Sequence, residues 1–361
     1  MKLLDQRAAR VLFTAILFGL GLMFVYAARR TIIAFIFAIF FAYLLEAPVA
    51  RVERWLRNSR GLAIAAVYLV ALGIIALVLA LAAPRIAQET QRLVAALPSL
   101  TEKISSGQIA YQVGGSRGWS AETQQKVETF LAGHRRQILA VAQHIVTQVV
   151  DTAKNLWWLI LVPILSVFFL KDGRKFGAAL IESVPGEQDR RVAASTLDEM
   201  NAMLGHFIRA QLIIALLAML AITLVTWAMG VPYAFVIGPA AGALEFIPVV
   251  GPVLGGALVM GVAFMANYQH LLWLLIFLLA WRGTQDYVNG PRIMGRRLAL
   301  HPLAVLFGVL AGGEVAGVVG VFLSIPILAT LRILWHTWRS YRSARMLEPA
   351  PTPQTVETLA G

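Results

Sequence analysis

Gly238-Pro239-Ala240-Ala241-Gly242-Ala243-Leu244-Glu245-Phe246-Ile247-Pro248-Val249-Val250-Gly251-Pro252-Val253-Leu254-Gly255-Gly256 is an unusual run for any helical segment. It is apolar apart from Glu245, yet glycine and proline interrupt it throughout. Proline removes a helix hydrogen bond, and glycine lets the backbone turn or approach a neighbour closely. A second such stretch, Leu310-Ala311-Gly312-Gly313-Glu314-Val315-Ala316-Gly317-Val318-Val319-Gly320, carries Glu314 and runs on to Pro326. In hydrocarbon, backbone freed in this way survives only where it is buried in protein or lines a watery cavity. Interrupted apolar segments therefore point to the binding site of a transporter. Pro248, Gly251, Pro252 and Gly255 in the first stretch, and Gly312 and Gly313 in the second, are the expected hairpin backbone positions.

Composition supports a membrane setting. The chain has 361 residues, 59% of them hydrophobic and 14% charged, with a mean hydropathy of +0.73. A soluble chain carries about 25% charged residues. Apolar runs at residues 11–28, 62–83, 156–170 and 212–229 are close to the roughly 20 residues that cross a bilayer core. The fold class is thus an all-α polytopic membrane protein with the lipid bilayer as its main partner. The net charge of +12 comes mostly from arginines beside the spans, where they orient the protein, so nucleic acid is not an expected partner. Cysteine is absent, and the 6 histidines show no metal-ligand spacing. With no HExxH, GxSxG or phosphate-binding glycine loop, neither a metal, nor a cofactor, nor an enzymatic activity is expected.

The arginines also set the topology. Arg10 precedes the first run, which is long for a signal peptide, and a second run at 31–45 follows at once, so cleavage is not expected. Arg51, Arg54, Arg57 and Arg60, then Lys171, Arg174 and Lys175, then Arg292, Arg296 and Arg297, and finally Arg332, Arg339, Arg342 and Arg345 all fit one cytoplasmic side. Both termini are then cytoplasmic, and Arg29 and Arg30 snorkel on the outer side. The expected divisions are a three-span region (1–83), a helical periplasmic or extracellular insert (84–154), a fourth span (155–171), a cytoplasmic amphipathic helix (172–208), a transport core (209–335) and a polar cytoplasmic tail (336–361). Within the insert, Gly114-Gly115-Ser116-Arg117-Gly118 separates two helices, the second capped by Ser120. Within the core, residues 233–265 form a hairpin entered from outside, and residues 302–331 one entered from inside, with Gly312-Gly313-Glu314 near its bend.

Ionisable residues inside a membrane are costly and are candidate functional groups by default. Glu245 and Glu314 lead, since a carboxyl in low dielectric can exchange a proton, coordinate a cation or hydrogen-bond a polar solute. Capping of a broken half-helix is the structural alternative for each. Between the hairpins, Arg282, Gln285, Asp286 and Asn289 recur at spacings of three, four and seven, which places them on one helical face. Arg282 and Asp286 can pair within that helix, and Gly290-Pro291 then breaks it.

Phe246-Ile247-Pro248-Val249-Val250-Gly251-Pro252 resembles the FIPxxGP signature of the autoinducer-2 exporter family, the PerM-like permeases. Pro291-Arg292-Ile293-Met294-Gly295 and Leu300-His301-Pro302-Leu303 are similar to that family's PRIMG and LHPL stretches. Ala311-Gly312-Gly313-Glu314, with Gly317, Gly320 and Pro326, is similar to its glycine-rich C-terminal signature. The resemblance implies an inner-membrane protein of about eight spans, each near 20 residues. It implies a homo-oligomer, with a pentamer as one form, that exports a small polar molecule such as autoinducer-2. It also implies an acidic residue in the turn before PRIMG, the neighbourhood that Asp286 occupies. The expected function is a proton-linked or passive permease in which Glu245, Glu314 and Asp286 bind an ion or solute and Arg282 is the partner charge, with Gln285 and Asn289 beside them. A sodium/proton antiporter using the same carboxylates is the alternative within transport. A non-transporting scaffold acting through residues 84–154 is the alternative of another class.

Overall fold

The computed structural model describes residues 6–105, 114–115, 118, 120–130, 133–134, 137, 157–295 and 300–347. Ser116, Arg117, Arg296, Arg297 and residues 348–361 lie outside these. Every described element is helical. The order is α1 (Gln6–Ala27), α2 (Arg29–Trp55), α3 (Arg60–Ser105), α4 (Trp157–Glu182), α5 (Glu187–Ala228), α6 (Ala234–Leu244), α7 (Val250–Met265), α8 (Leu271–Thr284), a π turn (Gln285–Asn289), α9 (Gly290–Met294) and α10 (Pro302–Leu347). The all-α membrane fold expected from composition is present. Among the described residues, α1, α2, α3, α5 and α10 are the five helices long and apolar enough to cross a membrane, with α6 and α7 as shorter apolar elements.

Two compact units divide the chain. In the first, built from residues 1–69 and 146–174, the α1 side chains from Arg10 to Ala27 are all exposed. A helix apolar on every side and uncovered by protein needs lipid as its solvent. Ala42, Leu45 and Val49 of α2 pack with Ala63, Ile64 and Val67 of α3 and Leu170 of α4. Pro163 lies inside α4, and its carbonyl accepts hydrogen bonds from Tyr68 Oη at 3.1 Å and Ser166 Oγ at 2.7 Å. A tight turn links α2 to α3, with Arg57 and Asn58 in the left-handed region (φ 52° and 65°). Arg60, the first residue of α3, then reaches Glu46 at 2.8 Å, Glu53 at 3.0 Å and the Leu170 carbonyl at 2.7 Å. Glu46 and Glu53 stand seven residues apart, two helical turns, and so share a face of α2. Arg174 of α4 pairs with the same two carboxylates at 3.0 and 3.8 Å.

The second unit comprises residues 70–145 and 175–361. Here α3 continues without a break through Pro84 to Ser105, and residues 121–130 are helical. Ser120 caps that helix, accepting the Thr123 N–H at 3.3 Å. α5 runs unbroken from Glu187 to Ala228 and is the platform on which the rest is laid. Ala218 and Ile222 of α5, Ile237 and Ala241 of α6, Val259 and Ala263 of α7 and Leu274 of α8 make one buried core. Nearer the end of α10, Ala329 and Ile333 bury Met203 of α5.

Both interrupted stretches fold back on themselves. α6 and α7 pair antiparallel across residues 245–249, because Gly255 faces Ala241 and Gly251 sits against the Leu244 carbonyl. A Cβ at Gly251 would overlap that carbonyl. α10 is likewise bent at Ala316 (φ −137°) and Gly317 (φ 57°), so that limb 302–315 returns along limb 318–347. Gly312 and Gly320 meet backbone to backbone there. Residues eight apart in a straight helix are separated by about 12 Å, so only a reversal brings these two together.

Candidate functional site

The break between α6 and α7 is held from α5. Gln211 Nε2 donates to the Glu245 carbonyl at 2.5 Å, and both residues are buried. One turn further along α5, the Ile214 carbonyl accepts from Gln285 Nε2 at 3.3 Å. The hairpin break and the π turn are thus tied to adjacent turns of one helix. The break itself is strained: Val249 has φ 65°, a conformation that a β-branched residue adopts at a cost and that concentrates at functional sites.

The second element of the site is the π turn, Gln285–Asn289, which coincides with the polar stripe. A π turn inserts an extra residue into the helical winding and is frequent at functional sites. It splits the stripe into two pairs. Asn289 Nδ2 donates to Gln285 Oε1 at 2.8 Å, with Gln285 buried. Arg282 pairs with Asp286 at 2.5 Å, and this pair is about half exposed. Arg282 and Asp286 also lie within electrostatic range of the Glu245 carboxylate. Five of the six expected ion- or solute-binding residues, Glu245, Arg282, Gln285, Asp286 and Asn289, are therefore gathered around α5.

Glu314 stands apart from that group. It is exposed on the first limb of α10, two residues before the bend, and it is not among the charges that act on Glu245. The two hairpins do meet, through Phe246 and Phe322, whose rings lie edge to face with centroids 6.1 Å apart.

Two participants were not marked by sequence patterning. Gln211 is a lone amide just before an apolar run, and its isolation there was the available signal. Trp281, adjacent to Arg282, packs against the α5 to α8 core with its Nε1 buried and without a hydrogen-bond partner among the described residues. A buried donor left unpaired costs about 1–3 kcal/mol, which a polar solute or water can offset. Among the described residues no group of three or more His, Asp or Glu could hold a metal ion. What the gathered groups can do is bind a polar solute by amide and charge contacts, or take up a cation or proton on a carboxylate.

The model of the AI-2E family transporters matches residues 12–340. This chain belongs to that family. Among its relatives, the putative transport protein YrrI of Bacillus subtilis is 28% identical over 173 residues, 48% of this chain and 49% of that protein. The alignment therefore spans about half the length of that relative. The putative permease PerM of Escherichia coli K12 is 25% identical over 332 residues, 89% of this chain and 90% of its own length. The AI-2 transport protein TqsA of the same strain is 26% identical over 318 residues, 85% and 86% of the two chains. The family and these relatives identify a multi-pass membrane transporter.

Proposed function

We propose that this transporter exports a small polar solute across the inner membrane, along a path that passes between the α6 to α7 hairpin and the π turn. The observation that carries the proposal is that the hairpin break at Glu245 and the π turn, with its Arg282–Asp286 and Gln285–Asn289 pairs, are tied to adjacent turns of one helix in an otherwise apolar bundle. Such groups are too costly to face lipid, so they line protein or water. Their mixture of amide donors and acceptors with a charge pair suits a neutral, hydroxyl-rich solute, and the similarity to the AI-2 transport protein TqsA makes autoinducer-2 the first to try. Glu314 serves in the same path at the bend of the second hairpin. The termini lie in the cytoplasm, residues 84–154 lie on the periplasmic side, and the working form is a homo-oligomer.

The test is flux of autoinducer-2 into proteoliposomes, with and without a pH or sodium gradient. Uptake that depends on the protein supports the reading, and its absence with every polar solute tried removes it. Sodium/proton antiport is the second reading, favoured by two carboxylates, Asp286 paired with Arg282 and Glu245 within electrostatic range of that pair. Gradient-driven proton movement with sodium and no solute would select it. A scaffold acting through residues 84–154 would show no flux of either kind.

A further inference from the structure

The turn from α2 to α3 carries a surface feature unrelated to the polar cluster. Arg51, Arg54, Arg57 and Arg60 recur every third residue there. Arg60 is fully engaged, holding Glu46, Glu53 and the Leu170 carbonyl, and Arg174 takes up the same two carboxylates. Glu46 and Glu53 are thereby neutralised. Among the described residues no carboxylate pairs with Arg51, Arg54 or Arg57, and all three are exposed. Trp55, between them, is 90% exposed. Among the described residues Arg51, Val52, Arg54 and Trp55 border an open surface hollow of about 440 Å³.

These features call for one kind of ligand. Guanidinium forks match phosphate oxygens in geometry and charge. An indole this exposed gains nothing from water, but it is favoured where an apolar segment meets lipid headgroups. The patch closes an apolar span of 27 residues, α2. We infer that Arg51, Arg54 and Trp55 form a binding site for the phosphate headgroup of an anionic phospholipid, with Arg57 adding to its field. Arg51 and Arg54 take the phosphate, and the Trp55 ring lies along the glycerol and upper acyl chain. A free phosphate ion would use the arginines and leave Trp55 without a role, so the lipid is the source the geometry favours.

The full-length protein, purified in a neutral detergent, is titrated with phosphatidylglycerol, phosphatidylcholine or inorganic phosphate and read by native mass spectrometry. Phosphatidylglycerol stays bound, while phosphatidylcholine and phosphate do not. A basic side chain at an anionic lipid surface contributes about fivefold in affinity, so R51Q/R54Q weakens phosphatidylglycerol by about tenfold to thirtyfold. Trp55→Ala changes no charge and removes no core contact, which keeps the test open if the double variant fails to fold. It lowers phosphatidylglycerol affinity severalfold. Unchanged phosphatidylglycerol affinity in W55A, equal binding of phosphatidylcholine, or full displacement by millimolar phosphate would each overturn the site.

Discussion

The Glu89 carboxylate accepts the backbone N–H of Phe235 at 2.9 Å, joining residues 146 apart in the chain. Glu89 lies on the part of α3 that extends past the apolar run, and Phe235 opens α6, the first limb of the strained hairpin. The first N–H groups of a helix have no partner within it, and its N-terminus attracts negative charge, so one carboxylate meets both needs. Arg85, one turn earlier, stacks over the Phe235 ring at 5.2 Å. Residues 85–89 of α3 thus hold the start of the hairpin that carries Glu245.

Glu89→Ala should therefore loosen the start of α6. Loss of a helix cap typically costs about 0.5–2 kcal/mol, which a lower thermal midpoint in detergent would register. Glu89→Gln keeps an acceptor and should lose less. Equal midpoints for wild type and E89A would show that the contact contributes nothing.

Gly251 and Gly312 each face backbone at the crossing of a hairpin, where an added side chain has no room. Gly251→Leu and Gly312→Leu should abolish flux and lower membrane abundance, by overpacking of more than about 3 kcal/mol. Gly256 lies in the same helix as Gly251 with nothing within 4 Å of an added Cβ, so Gly256→Leu should be near wild type. Normal flux in G251L and G312L at normal abundance would refute the hairpin packing.

The two reversals were legible because glycine and proline advertise where a membrane helix must break. Their partners were less so. Gly238 and Gly242 lie against Thr223 and Met219 of α5, so closely that a Cβ on either would overlap backbone. This is close packing through small residues four apart, yet in sequence it is simply part of a glycine-rich run. Apolar patterning says that a surface is buried, not which helix buries it. The polar stripe was visible, and its four-residue spacing already lets Asn289 meet Gln285, but a winding of 3.6 residues per turn cannot foresee the π turn in which they sit. α3 passes through Pro84 without a break. A proline removes a single N–H, and the helix formers around it can continue the winding.

Arg60 holds the ends of α2, α3 and α4 together, with only 17% of its side chain exposed. Removing it leaves Glu46, Glu53 and the Leu170 carbonyl without their shared donor. Arg60→Ala should destabilise by about 2–4 kcal/mol, below the full figure for a buried pair because Glu46 still reaches solvent. Arg174, 62% exposed, belongs to the weaker class of surface pairs, so Arg174→Ala should cost about 1 kcal/mol or less. Thermal unfolding of both variants checks the order, and a larger loss in R174A would contradict it.

The carboxylates separate by their surroundings. Glu245 is buried at the hairpin break, within electrostatic range of Arg282 and Asp286, whereas Glu314 is exposed near a bend. Glu→Gln keeps size and an acceptor but removes titration and charge. If Glu245 carries the coupling proton, E245Q should cut gradient-driven flux at least tenfold and flatten its dependence on pH, while the protein still folds. E314Q should do less, and the double variant should resemble E245Q alone. A carboxylate that only caps a broken helix would behave otherwise, since an amide still supplies an acceptor. The Glu245 backbone carbonyl already receives the Gln211 bond, so that contact survives in E245Q and cannot account for a loss of flux. The measurement is flux of the three variants across a pH series in proteoliposomes of matched protein content. Wild-type profiles in all three would remove the proton-carrier role from both residues and leave the hairpin fold untouched.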